Sequence, residues 1–60
     1  MFQLYIITTN HKAIYSHYFH SEWAAGMVAI GYVRKYPEIQ IVHVINKETG
    51  EIVQNYKKGY

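Results

Sequence analysis

The sequence predicts an α+β domain of ββαββ order: a four-stranded antiparallel sheet, strand order 2-1-3-4, with one helix packed on one face. Three observations predict it. The run Ile39 to Ile45 is apolar at both odd and even positions, so a strand built from it presents hydrophobic side chains to both faces of a sheet. Only one segment, Glu22 to Lys35, carries helix punctuation at both ends. Between the last two apolar runs, Asn46 to Glu51 reads as a hairpin turn.

The first strand is expected over Phe2 to Thr9, where Ile, Thr and aromatic residues dominate. Asn10-His11 serves as a two-residue turn, with Asn favouring the left-handed conformation, and a second strand follows from Lys12 to about Phe19. That register sets Ile7 opposite Ile14, Ile6 opposite Tyr15, Leu4 opposite His17 and Phe2 opposite Phe19. One face then collects Phe2, Leu4, Ile6, Tyr15 and Phe19, and the other Tyr5, Ile7, Ile14 and Tyr18.

Ser21 is placed to cap the free amides of the helix, Glu22 lies at the positive end of its dipole, and Arg34 and Lys35 at the negative end. Pro37 pushes Tyr36 out of helical geometry and stops it. Apolar residues nearly encircle this helix. The expected arrangement turns Trp23, Ala24, Met27, Ile30 and Gly31 to the sheet and leaves Ala25, Gly26, Ala29, Tyr32 and Val33 outside. The third strand, Ile39 to Ile45, turns at Gly50 into a fourth, Ile52 to Tyr56, with Ile45 opposite Ile52 and Val44 opposite Val53. Fraying is expected over the tail, residues 56–60. A right-handed crossover through the helix returns the third strand beside the first, which makes the most apolar strands central and leaves the more polar ones at the edges.

With 60 residues the chain is expected to form a single domain. Area scaling gives about 10,300 Å² unfolded and about 4,100 Å² folded. If about 60% of the difference is apolar, burial contributes roughly 90 kcal/mol, against a similar cost of about 1.5 kcal/mol per ordered residue. Such a monomer is marginal. The absence of cysteine excludes disulfides and thiolate metal sites, so association becomes the expected source of further stability. No basic leader precedes the first strand and no apolar run is long enough to span a bilayer, which leads to the expectation of a cytoplasmic protein with no membrane partner.

The residues present argue against catalysis. Without aspartate or cysteine there is no Ser-His-Asp triad and no thiolate nucleophile, and Glu22, Glu38, Glu48 and Glu51 each sit where a cap, turn or strand start accounts for them. No Gly-rich phosphate loop occurs, so no cofactor is expected. His11, His17 and His20 fall on a turn, a strand and a helix entrance, without the shared face that a metal pair needs.

Binding remains. Apolar side chains on both sheet faces and seven tyrosines give the composition of a protein interface. The expected contact residues are Tyr5, Ile7, Tyr18, Val42, Val44 and Val53, engaging a second copy of the chain, another protein, or both. A regulator or inhibitor that works by occupying a surface is the function this predicts. The alternative is nucleic acid, bound by sheet tyrosines such as Tyr5, Tyr18 and Tyr56 together with Lys12, Arg34, Lys35, Lys57 and Lys58. Its weakness in the sequence is that six Lys and Arg, with a net charge of +2, are scattered along the chain without a basic run.

Overall fold

A computed structural model describes residues 1–58. It contains β1 (Phe2–Thr8), β2 (Ala13–Phe19), α1 (Glu22–Lys35), β3 (Ile39–Asn46) and β4 (Ile52–Lys57). The strands form one antiparallel sheet in the order β2-β1-β3-β4, as the connectivity predicts. The helix lies chiefly over β3 and reaches β2 least. The accessible surface, 4131 Å², is what area scaling expects of a chain this long.

The helix ends follow their punctuation. Ser21 is extended and its side chain accepts from the Ala24 amide at 3.0 Å, which satisfies one of the amides that a helix start leaves free. Tyr36 is extended ahead of Pro37, while its own amide still donates to Tyr32 O at 3.0 Å and closes the last turn.

The helix orientation is the reverse of the expected one. Ala25, Gly26 and Ala29 are buried against the sheet, whereas Trp23 is 74% and Met27 55% exposed. Bulk on the sheet side explains this. Leu4, Ile6, Val42 and Val44 already fill the layer beneath the helix, so the facing helix positions must be small for the two surfaces to interdigitate. At Gly26 side chains of β4 take the space of a Cβ, which would sit 2.7 Å from Gln54 Oε1 and 3.2 Å from Tyr56 Oη. Tyr32 and Val33, also expected outside, pack against this core.

The first hairpin is longer than predicted. Thr8 N donates to Lys12 O and His11 N to Thr8 O, so Thr9, Asn10 and His11 form a three-residue loop. His11, with φ 66°, takes the left-handed position expected of Asn10. The extra residue changes the parity of β2. Tyr15 pairs with Tyr5 and Ile14 with Ile6, exchanging the faces assigned to them. A bulge opposite Leu4 restores the expected pairing of Phe2 with Phe19. Ser16 fills that bulge, its hydroxyl accepting from Leu4 N at 2.9 Å while Gln3 Nε2 donates to Ser16 O at 2.8 Å.

The second hairpin turns as predicted, with Gly50 at φ 79° and its amide donating to Asn46 O. Ile45 pairs with Ile52, but a bulge then sets Val44 opposite Gln54 and leaves Val53 unpaired. The fourth strand runs one residue beyond its expected end at Tyr56, to Lys57; the Tyr56 ring packs on the core and Lys58 N donates to Gln40 O at 2.9 Å. Gly59 and Tyr60 lie outside the described residues.

Candidate protein-interaction surface

The helix covers one face of the sheet, and the other face is open. Register defines that open face as three rows running from β2 to β4 across the four strands: Ala13 to Lys57, Tyr15 to Asn55, and Tyr18 to Ile52. The first row is Ala13, Ile7, Ile41 and Lys57; the second is Tyr15, Tyr5, His43 and Asn55; the third is Tyr18, Gln3, Ile45 and Ile52. Lys57, at one corner, is the only charged residue in these rows. A water-facing side of an antiparallel sheet ordinarily alternates to polar residues, and this one does not.

Aromatic packing organises its centre. The Tyr5 ring lies 4.9 Å from Tyr15 and 6.2 Å from His43, nearly parallel to the latter at 13°. Aromatic contacts of this kind hold rings in place and reduce the entropy lost when a partner covers them. His43 Nδ1 is buried with no hydrogen-bond partner among the described residues. Tyr15, Tyr18 and Ile52 are 60%, 54% and 57% exposed, so the flanks of the face remain wet.

The expected contact residues divide between the two faces. Tyr5, Ile7 and Tyr18 are on the open face, and Val53, in the β4 bulge and 38% exposed, borders it. Val42 and Val44 are not with them. Both are 0% exposed beneath the helix, because β1 pairs Leu4 with Val44 and Ile6 with Val42, and Leu4 and Ile6 face the core. Their open-face counterparts in β3 are Ile41, His43 and Ile45, which the sequence reading passed over. The polar His43 was the available signal that the odd positions of this strand face away from the core.

A second apolar area flanks the helix. Trp23, Met27 and Ile30 line a shallow depression of about 240 Å³ against Gln54 and Tyr56 of β4. Gln54 bridges it, donating to Glu22 at 2.7 Å and accepting from Tyr56 Oη.

The candidate cations occupy one end of the molecule. β1 and β4 finish there, α1 finishes there, and β2 and β3 begin there. Lys12, Arg34, Lys35, Lys57 and Lys58 are therefore brought together by topology, although the sequence scatters them. Among the described residues no group of three or more His, Cys, Asp or Glu side chains is arranged to hold a metal ion. Among the described residues no helix is long and apolar enough to cross a membrane.

Comparison with protein-family models, with curated proteins and with solved structures gives no match to this chain.

Proposed function

We propose that the protein is a non-enzymatic binding module whose open sheet face docks on a second copy of itself, and that the resulting dimer acts as a regulator or inhibitor by occupying protein surface. The observation that carries this reading is a sheet face on which eight of the twelve positions in three rows are Ala, Ile or Tyr and one is charged, uncovered by the one helix among the described residues. Four strands about 4.8 Å apart and about seven residues long give a face of roughly 450 Å² per copy. Covering two such faces removes about 900 to 1,000 Å² from water, the lower bound for a specific interface. An interface of this size belongs with weak, transient associations.

A second copy fits the face because two twisted sheets pack at about 10 Å through apolar inner surfaces, and the same patch on both protomers is self-complementary about a twofold axis. Sedimentation velocity over a concentration series tests it. Tyr15→Asp and Ile45→Asp should return the protein to monomer with its circular dichroism unchanged, while Met27→Glu on the helix flank should leave the dimer intact. Dimers that survive both aspartate variants and dissociate with Met27→Glu would move the interface to the helix.

A further inference from the structure

The two ends of the sheet carry opposite charge. At the end where β1 finishes and β3 begins, Lys12, Arg34, Lys35, Lys57 and Lys58 stand with a single carboxylate, Glu38, leaving four positive charges. At the other end the side chains of Glu22, Glu48 and Glu51 stand with Lys47, leaving two negative side-chain charges, one of them paired with the Met1 amino group, and the side chains of the two ends make the net +2. A mildly basic composition thus conceals a strongly basic end.

The geometry points to this end as a binding surface for the phosphate backbone of a nucleic acid, meeting the open sheet face only at its Lys57 corner. Three elements are tied together to build it: Thr9 N donates to Glu38 O at 2.8 Å, joining the first hairpin to the link after α1, and Lys58 N donates to Gln40 O at 2.9 Å, joining the end of β4 to β3. The cations are available. Among the described residues the one ion pair is at the far end, between the amino group of Met1 and Glu48. Arg34 and Lys35 also oppose the negative end of the helix dipole, and Lys58 Nζ donates to Pro37 O at 2.6 Å, which pins the ammonium without neutralising it.

Charge density favours nucleic acid over a protein partner. Protein interfaces deplete lysine at their centres, whereas nucleic-acid interfaces are polar and strongly positive. The outer strand axes of a four-strand sheet lie about 15 Å apart, and phosphates recur about every 3.4 Å of axis along one strand, so about four of them match that span. Tyr36, 37% exposed and 5.6 Å from Lys35 Nζ, adds a ring on which a base could stack.

The test is fluorescence polarisation of the full chain with labelled single-stranded DNA, single-stranded RNA and duplex DNA, alongside poly-glutamate and phosphatidylserine vesicles, from 50 to 200 mM NaCl. Binding to any of the three nucleic acids, weakening about 50- to 150-fold over that range as four phosphate contacts require, is the expected result, and the three arms identify the form preferred. The double variant Lys12→Glu/Arg34→Glu should lose at least tenfold, and Lys47→Glu at the opposite end less than threefold. No binding at 50 mM salt, equal losses from both variants, or binding only to poly-glutamate or vesicles would overturn the proposal.

Discussion

Replacing Val44 by alanine tests the face assignment where the structure departs from the sequence reading. Val44 is 0% exposed between the helix and β1. Losing two methyl groups at about 0.8 kcal/mol each removes about 1.6 kcal/mol of burial. A cavity of up to about 40–50 Å³ at about 24 cal/mol/Å³ adds about 1 kcal/mol, for a total near 2.5 kcal/mol. At about 0.05–0.15 kcal/mol per residue the domain has only about 3–9 kcal/mol in all, so Tm should fall by roughly 10–20 °C. Urea titration followed by circular dichroism, at concentrations where the protein is monomeric, measures the loss. Val53→Ala, on the exposed bulge, should cost less than about 1 kcal/mol by the same bookkeeping. A loss below about 0.5 kcal/mol for Val44→Ala, or an equal loss for Val53→Ala, would refute the placement of these two valines.

The single tryptophan reports the helix orientation: at 74% exposure Trp23 should fluoresce as a water-exposed indole, and Trp23→Ala should cost under about 0.5 kcal/mol, whereas a core site would lose about 3–5 kcal/mol. Ser21→Ala removes the acceptor for the Ala24 amide and should destabilise by about 1 kcal/mol in thermal unfolding. Gly31 has open space around its missing Cβ, so Gly31→Ala should stabilise by about 0.5–1 kcal/mol, raising Tm by a few degrees.

Local signals made much of the fold legible. Ser21 and Pro37 delimit the helix, Gly50 fixes the second turn, and the polarity of β2 and β4 puts them at the edges. The face assignments were less legible because they depend on parity. A hairpin turn sets the register of the strands it joins, but β1 and β3 are joined through a helix, so no turn says whether Tyr5 faces the odd or the even positions of β3, and the polar His43 is the one hint within the strand. The same gap left His43 out of the expected surface and brought Val42 and Val44 into it. In the first hairpin one residue decided the matter: His11 adopts the left-handed conformation in place of Asn10, the loop gains a residue, and Ile14 and Tyr15 exchange faces. Helix orientation was ambiguous for another reason. Large and small apolar residues both circle α1, and only the volume already filled by Leu4, Val42 and Val44 selects the small side. The basic end was invisible in a linear reading because antiparallel topology, not sequence proximity, assembles it.

The most direct test of the open sheet face is an isotope-filtered NOE experiment on a mixture of labelled and unlabelled chains at millimolar concentration. Methyl groups of Ile7, Ile41 and Ile45 in one copy should show cross-peaks to the Tyr5 and Tyr15 rings of the other. Cross-peaks confined to Trp23 and Met27, or none between copies, would contradict it.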